Sequence, residues 1–199
     1  MGLQVAEADD ALMRQALALA ATAGDDVPVG AVVADSGGTI IGTGVNRRER
    51  EGDPTAHAEV VALRQAATSL GAWNLSGCTL AVTLEPCLMC AGAILQARIS
   101  RVVFGAWDEK AGAAGSVYDV LRDRRLPHQT EVLAGVRADQ STALLQSFFA
   151  PRRARSGVER STDVNAGAPT LSSVDQSTDA ENSTQLPGSP EPRSRAHST

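Results

Sequence analysis

The sequence predicts an α/β protein, in which a mixed five-stranded sheet lies between two layers of helices as a three-layer α-β-α sandwich. Helical and strand patterns follow the order α-β-β-α-β-α-β-α-β-α, which favours helices packed on both faces of one sheet. The apolar strand predicted for residues 78–84 is followed by a helix and then by a second strand at residues 101–106. This tight connection predicts a β-α-β crossover and a parallel strand pair.

The N-terminal half contains two predicted helices and a hairpin. Residues 9–23 carry apolar side chains at helical spacing, and Asp9 and Asp10 suit the N-cap and first turn of that helix. Two apolar runs at residues 27–33 and 39–44 flank a Ser-Gly-Gly turn, which predicts an antiparallel hairpin. A polar loop follows at residues 46–54, and the second helix is predicted at residues 56–69.

The C-terminal half alternates strands and helices. A helix is predicted from Pro86 to about residue 98, between the two strands of the crossover. Residues 107–116 are glycine-rich and irregular, and a short helix is predicted at residues 117–122. A strand at residues 131–133 and a last helix at residues 139–150 complete the fold, and Pro151 is predicted to end that helix.

Composition divides the chain into a folded domain, residues 1–155, and a Ser/Thr/Pro-rich acidic tail, residues 156–199. The tail has no aromatic residue and five large aliphatic side chains, whose burial contributes roughly 8 to 15 kcal/mol. Ordering its 44 residues costs on the order of 44 to 88 kcal/mol of backbone entropy. The sequence therefore predicts that the tail is disordered.

Three potential zinc ligands, His57, Cys87 and Cys90, stand at the starts of two predicted helices. Cys87 and Cys90 are three residues apart, so both thiols face one side of the first helical turn after Pro86. A structural zinc takes four protein ligands, whereas a catalytic zinc takes three and keeps one position for water. The sequence therefore predicts an open site for one Zn²⁺ per chain.

Glu59 follows His57 by two residues, and both side chains can face one ion only at the start of a helix. A carboxylate there can take a proton from a zinc-activated water and pass it to a ring nitrogen and a departing amine. A His-x-Glu segment followed by Pro-Cys-x-x-Cys is typical of zinc deaminases that act on cytosine or adenine rings.

Other interpretations of these residues stay open at this point. The Cys87 and Cys90 pair is also compatible with a redox motif, or with a structural zinc site closed by Cys78. Cys78 is more typical of a small buried side chain in a strand. Glu59 is also compatible with a solvated position on a helix.

Charge and cysteine content bound the partners and the compartment. The net charge is −5, but the tail holds six acids and three bases, so 17 acids face 15 bases in residues 1–155. A nearly neutral domain of this kind binds nucleic acid only through local contacts. Three arginine clusters are either such contacts or solvated surface: Arg47, Arg48 and Arg50; Arg122, Arg124 and Arg125; Arg152, Arg153 and Arg155.

The sequence also argues against a membrane protein. No apolar run approaches the roughly 18 residues that span a bilayer. Three cysteines, an odd number of which two are assigned to metal, indicate a reducing compartment. We therefore expect a cytoplasmic protein.

Four segments resemble the bacterial tRNA-specific adenosine deaminases: Asn46, residues 53–59 (DPTAHAE), residues 83–93 (TLEPCLMCAGA) and residues 108–116 (DEKAGAAGS). The resemblance covers about residues 9–153. It implies a cytidine deaminase-like fold, a homodimer, and conversion of adenosine to inosine at the wobble position of an arginine tRNA anticodon. The short metal motif alone is shared with cytidine, cytosine and guanine deaminases, so it indicates only the type of reaction.

The resemblance also implies a role for six residues, and four further residues are candidates for substrate binding. His57, Cys87 and Cys90 match the zinc ligands, Glu59 the proton shuttle, and Asn46 the residue that hydrogen-bonds the flipped nucleoside. Asp108 matches a contact to the anticodon loop. Beyond the resemblance, the backbone N–H groups around Ala58 are candidates to hold the base edge, and Lys110, Arg152 and Arg153 are candidate contacts to the anticodon stem-loop.

Two positions depart from the family pattern: Trp107 stands where a polar side chain is usual, and Pro151 interrupts the last helix before the basic cluster. Two other functions remain open on the sequence alone. One is a deaminase of free nucleobases or nucleosides, and the other is a non-catalytic RNA-binding module stabilised by zinc with four protein ligands.

Overall fold

The computed structural model describes residues 6–162 of the chain, with side chains described as far as Arg152. Its five strands are β1 (Gly30–Ala34), β2 (Ile40–Val45), β3 (Thr79–Leu84), β4 (Arg101–Ala106) and β5 (Glu131–Leu133). The sheet order is β2-β1-β3-β4-β5, with β1 antiparallel to β2 and β3, and with β3, β4 and β5 parallel. The predicted mixed sheet, hairpin and β-α-β crossover are confirmed.

Helices cover both faces of this sheet. They are α1 (Glu7–Ala20), α2 (Arg48–Glu51), α3 (Ala58–Leu70), α4 (Leu88–Gln96) and α5 (Ala138–Thr162). Ala62 of α3 and Ile94 of α4 share a core with Phe104, whereas Met13 of α1 packs with Val103 in a second core. Because neighbouring residues of β4 point to opposite faces, the two cores are the two sides of a three-layer sandwich. None of the described helices combines the length and the apolar character needed to cross a membrane.

Helix α3 approaches strand β2 at two glycines. A Cβ atom at Gly42 would overlap the backbone of Ala62 and Ala66, and one at Gly44 would overlap the carbonyl of Ala58. Only glycine permits such a close approach of helix and strand. The contact fixes the start of α3 beside the end of β2.

Two acids in the first turn of α1 anchor that helix to the rest of the domain. The Asp9 carboxylate pairs with Arg101 of β4 at 2.9 Å, and Asp10 pairs with Arg137 at 2.7 Å. The prediction that this Asp pair supplies the N-cap is wrong, because α1 begins earlier and its N-cap is Ala6. Both carboxylates are used for tertiary ion pairs instead.

The prediction of a helix at residues 117–122 is also wrong, because the chain there is irregular, with a bridge from Asp119 to Ala114 and a turn at residues 121–122. The Tyr118 and Val120 N–H groups donate to the carbonyls of Gly112 and Ala113 at 3.1 and 3.0 Å. These backbone N–H groups therefore find their hydrogen-bond acceptors in the glycine-rich loop, whereas in a helix the acceptors would be carbonyls of the same helix.

Helix α2 lies within the segment that we predicted as a polar loop. Its first N–H groups point at the buried carboxylate of Asp26, which accepts from Glu49 at 2.7 Å and from Arg50 at 3.2 Å. A distant acid therefore caps this short helix.

The prediction that Pro151 ends the last helix is wrong as well, because α5 continues through it to Thr162. A proline removes one helical hydrogen bond and tends to kink a helix, yet the chain can stay helical beyond it. The helix passes the predicted domain boundary at residue 155. The division into residues 1–155 and 156–199 stays a prediction, because residues 163–199 lie outside the described part of the chain.

Candidate zinc site and substrate pocket

His57 and Cys87 each occupy the residue immediately before a helix. His57 precedes α3 with φ −73° and ψ 151°, and Cys87 precedes α4 with φ −74° and ψ 173°. Both helices therefore begin at the same place, as predicted from the spacing. Their free N–H groups and positive dipole ends favour negative charge on a ligand there.

The three predicted ligands converge. The Nδ1 atom of His57 lies 3.6 Å from the sulfur atoms of both Cys87 and Cys90, and the three atoms lie within 4.8 Å of one another. Nitrogen and sulfur ligands at about 2.0 and 2.3 Å from a tetrahedral zinc are about 3.5 Å apart. The donor set and its spacing therefore fit Zn²⁺.

Cys78 does not belong to this cluster. It lies just before β3, whereas Cys87 follows the other end of that strand, and it is buried in the core between the sheet and α3. Among the side chains that the structure describes, those of residues 6–152, the grouping of potential ligands at this site contains His57, Cys87 and Cys90. The alternative of a structural zinc closed by Cys78 is therefore wrong.

The Cys87 sulfur atom carries the negative charge in this arrangement. A hydrogen bond from the Cys90 thiol lowers the pKa of Cys87 to about 4, and a bond with His57 adds to that effect. The same bond to Cys87 and burial raise the pKa of Cys90. The bond with Cys87 also raises the pKa of His57. A thiolate that two neighbours already stabilise is prepared to bind a cation.

The Glu59 side chain is buried beside this cluster and is 4% exposed. Burial raises its pKa to about 7, and the nearby charge of Cys87 acts in the same direction. The alternative in which Glu59 is a solvated helix residue is therefore wrong. A carboxyl group with a pKa near neutrality can both accept and release a proton.

A cavity of about 160 Å³ opens beside Glu59. Asn46, at the end of β2, forms part of its wall together with Ala58 at the start of α3. The Asn46 Nδ2 group donates to the Val27 carbonyl at 3.3 Å, whereas its buried Oδ1 atom has no hydrogen-bond partner among the described residues. An unpaired buried acceptor costs free energy, which indicates that a ligand supplies the missing donor.

The predicted contacts to nucleic acid lie in two places. Asp108 follows β4 and lines the cavity, and Lys110 is exposed on the same loop. Arg152 lies on α5, where its guanidinium is 3.6 Å from the centre of the Phe148 ring and donates to the Asp25 carbonyl at 3.2 Å. Arg153 also lies on α5, but its side chain is not among those that the structure describes.

Comparison with known proteins places the chain in a family. The model of the cytidine and deoxycytidylate deaminase zinc-binding region matches residues 6–106. The chain belongs to this deaminase family. The match includes all three predicted ligands and Glu59.

Individual relatives share much of the domain. The chain is 47% identical over 156 residues to a tRNA-specific adenosine deaminase of Haemophilus influenzae, which covers 77% of this chain and 90% of that protein. It is 51% identical over 148 residues to a tRNA(Ile)-lysidine synthase of Deinococcus radiodurans, covering 73% of this chain and 25% of that protein.

A solved structure is similar to this chain in both sequence and fold. It comes from work on A-to-I editing by tRNA:A34 deaminases at the wobble position of transfer RNA, and it is 41% identical to this chain. The match covers 68% of this chain and 99% of that chain, with a TM-score of 0.65. The predicted cytidine deaminase-like fold is confirmed.

Ion pairs partly neutralise two of the three arginine clusters of this deaminase. Arg47 pairs with Glu51 at 2.9 Å and Arg48 pairs with Glu49 at 2.8 Å. In the second cluster, Arg122 pairs with Asp119 at 3.0 Å and Arg125 pairs with Asp123 at 2.6 Å. Exposed pairs of this kind contribute little stability, but they reduce the net positive charge offered to phosphate groups.

Sequence reasoning missed Glu85, which also lines the cavity of the deaminase and is 2% exposed. Its carboxylate accepts backbone hydrogen bonds from Asp108, Ala114 and Ser116. The available signal was an acid placed directly between an apolar strand and a Pro-Cys pair. Charged residues are rarely buried unless they are paired.

Proposed function

We propose that this protein is a zinc-dependent enzyme that hydrolyses adenosine to inosine at the wobble position of a tRNA anticodon, with an arginine tRNA as substrate. The observation that carries the proposal is the buried Glu59 carboxyl beside the triangle of one imidazole nitrogen and two sulfur atoms. Two similar proteins support tRNA as the substrate class: the tRNA-specific adenosine deaminase of Haemophilus influenzae and the solved structure from work on tRNA:A34 deaminases. The arginine tRNA rests on the resemblance of the sequence segments.

The reaction replaces the exocyclic amine of adenine by an oxygen atom. A C–O bond forms at C6 from water, the C–N bond breaks, and ammonia leaves. Zinc, when bound by His57, Cys87 and Cys90, supplies the Lewis acidity that lowers the pKa of a water molecule towards about 7. Glu59 takes a proton from the attacking water and delivers it to the ring nitrogen N1. It then takes the remaining proton from the new C6 hydroxyl, which becomes the carbonyl of inosine, and delivers that proton to the departing amine. Burial holds the pKa of Glu59 near 7, which suits both directions of transfer.

Asn46 and Ala58 orient the base. The bond from Asn46 Nδ2 to Val27 fixes the amide, so that Oδ1 accepts a hydrogen bond from a donor group of the nucleoside in the cavity. Ala58 is the first residue of α3, and its N–H has no partner within the helix. This N–H donates to an acceptor on the base edge.

The rim of the cavity binds the RNA around the extruded nucleotide. Removing a base from its stack costs a few kcal/mol, and an anticodon loop keeps this cost low because its bases are unpaired. Asp108 and Lys110 lie on the loop at the rim, and Arg152 and Arg153 lie on α5. These four residues contact the nucleotides and phosphates that flank the target.

We also infer that the enzyme is a cytoplasmic homodimer. Apolar surface on the α3 and α4 side of the sheet supports an interface: Trp73 is 68% exposed at an open groove that Leu63 and Ala67 also line. Exposed apolar grooves mark interaction sites. Light scattering is expected to give twice the chain mass of 20.6 kDa, and a Trp73→Ser variant is expected to shift that mass towards the monomer.

The function is tested by incubating the zinc-loaded protein with transcribed arginine tRNA, with the same tRNA carrying guanosine at the wobble position, and with free adenosine, guanine and cytosine. Mass analysis of anticodon fragments is expected to show the change from adenosine to inosine in the arginine tRNA and no change in the tRNA with guanosine. No product is expected from the free nucleoside or bases. Turnover of free bases or nucleosides without turnover of tRNA would contradict the proposal. Another tRNA with a wobble adenosine tests the arginine preference separately.

A further inference from the structure

The Glu85 carboxylate is the centre of a buried hydrogen-bond network at the carboxyl end of β3. Its Oε1 atom accepts from the N–H groups of Ala114 and Ser116 at 2.9 and 3.1 Å, and its Oε2 atom accepts from the N–H of Asp108 at 3.0 Å. These three donors span the whole loop after β4. Hydrogen bonds from backbone N–H groups to an ionised carboxylate are among the strong ones.

Gly112 lets this loop close around the carboxylate. A Cβ atom at that position would overlap the Glu85 carboxyl group and the Ser116 hydroxyl. The next N–H, that of Ala113, donates to the Pro86 carbonyl at 2.8 Å. The loop therefore touches both Glu85 and the residue before the first cysteine of the zinc site.

The same loop forms one side of the cavity. Asp108 and Ala111 line the cavity, as do Ala58 and Glu59 at the start of α3. The Asp108 Oδ1 atom accepts from the N–H groups of Lys110 and Ala111 at 3.0 and 3.2 Å, so the turn is ordered from inside as well. Glu85 holds both ends of this turn, because Asp108 begins the loop and Ser116 ends it.

We propose that Glu85 is a positioning residue that fixes the 108–116 loop as the rim against which the RNA substrate docks. It sets the affinity for the anticodon loop and leaves proton transfer to Glu59. This inference rests on the proposed function for the identity of the substrate. The hydrogen-bond network that carries it is independent of that identity.

The decisive variant is Glu85→Gln in the full-length zinc-loaded protein. Glutamine keeps the size of the side chain, but its amide nitrogen faces backbone N–H donors and accepts none of them. We expect the KM for an anticodon stem-loop to rise about tenfold or more with kcat within about threefold, which is the signature of lost binding. Zinc content is expected to stay at one ion per chain, and hydrogen exchange at residues 108–116 is expected to become faster.

A second variant reaches the same contact from the other side. Gly112→Ala places a methyl group against the intact Glu85 carboxylate, so it is expected to raise KM in the same way. Both changes break one network, so their effects are not expected to add. The KM of the double variant is expected to lie within about twofold of the KM of the more affected single variant. Gly92→Ala is the matched control, because a Cβ there has nothing within 4 Å, and it is expected to leave KM and loop exchange unchanged.

Two results would overturn the inference. One is unchanged KM and unchanged exchange of the 108–116 loop in both Glu85→Gln and Gly112→Ala. The other is loss of zinc or of kcat at unchanged KM, since Glu85 would then act on the metal centre. Failure of the proposed function is a different result, because the wild-type protein would then not deaminate tRNA. The hydrogen-exchange measurement would still test whether Glu85 holds the loop.

Discussion

The Nδ1 atom of His57 lies 3.6 Å from the Cys87 sulfur, although 30 residues separate the two in the chain. Each residue directly precedes a helix, so an ion bound between them joins the N-termini of α3 and α4. A site formed by folding binds the metal far better than the unfolded chain does. The free energy of zinc binding therefore also stabilises the fold.

The first prediction concerns the Cys87→Ala variant, which removes one of three ligands. We expect its zinc content to fall from one ion per chain to near zero, because two ligands hold the ion too weakly. Its free energy of unfolding is expected to fall by about 3 kcal/mol when the wild type is measured with zinc a hundredfold above its Kd. Metal analysis and urea unfolding test both effects.

Cys78→Ala is the control for that variant. It removes a sulfur atom from the core, so it lowers stability through lost packing but is expected to keep stoichiometric zinc. Full zinc content in Cys87→Ala, or loss of zinc in Cys78→Ala, would show that the ligand set is different.

The second prediction concerns proton transfer by Glu59. Glu59→Gln keeps the shape of the side chain but cannot accept a proton from water. We expect kcat to fall by about 10²–10⁴-fold, the usual contribution of a positioned acid-base group, while zinc content and the affinity for the stem-loop stay unchanged. Single-turnover assays with saturating enzyme measure the chemical step directly, and a rate within tenfold of wild type would remove Glu59 from that role.

The third prediction concerns the cost of burying Glu59. Burial raises its pKa from 4.5 to about 7, so between these values the folded protein binds a proton that the unfolded chain has lost. The stability that depends on Glu59 is therefore complete below about pH 4.5 and is lost as the pH rises through about 7. At pH 8 the free energy of unfolding of zinc-free Glu59→Gln is expected to be about 1–3 kcal/mol higher than that of the zinc-free wild type. The two free energies of unfolding are expected to converge near pH 4. Urea unfolding at both pH values decides this, and a constant difference between them would contradict it.

The zinc ligands were predictable because their signal is local. The i, i+3 spacing of Cys87 and Cys90 and the position of His57 at a helix start depend on a few neighbouring residues, and the structure brings them together. The strands were predictable for the same reason, since β4 has the predicted bounds of residues 101–106. Local apolar patterns were sufficient for both.

The features that we missed depend on contacts between distant segments. Irregular chain at residues 117–122 replaces a predicted helix because the Tyr118 and Val120 N–H groups bond to Gly112 and Ala113. Glu85 reaches residues 23 to 31 positions away, and the α1 acids reach arginines about a hundred residues away. Spacing along the chain carries no information about such pairs until the sheet order is known.

The fourth prediction concerns the unpaired Asn46 acceptor. Asn46→Ala is expected to lower kcat/KM by about 10–100-fold, because one hydrogen bond to the nucleoside is worth about 1–3 kcal/mol in a buried site. Zinc content is expected to be unchanged, because Asn46 is not among the ligand atoms. Measuring kcat/KM with the tRNA substrate and metal content on one preparation tests this. An Asn46→Ala enzyme as efficient as the wild type would show that the buried Oδ1 atom is satisfied in another way.

The last prediction concerns the contact of α3 with β2. Gly44→Ala adds a Cβ atom that would overlap the Ala58 carbonyl, so the start of α3 must move, and His57 and Glu59 move with it. We expect the free energy of unfolding to fall by about 1–3 kcal/mol and kcat per zinc-loaded chain to fall by about tenfold or more, because misplacement by about 1 Å costs that much or more. Gly38→Ala is the control: it strains a turn with φ +84° in open space, so it is expected to lower stability and to leave kcat unchanged. Equal kcat in the two variants would show that the close approach at Gly44 serves packing alone and does not set the geometry of the site.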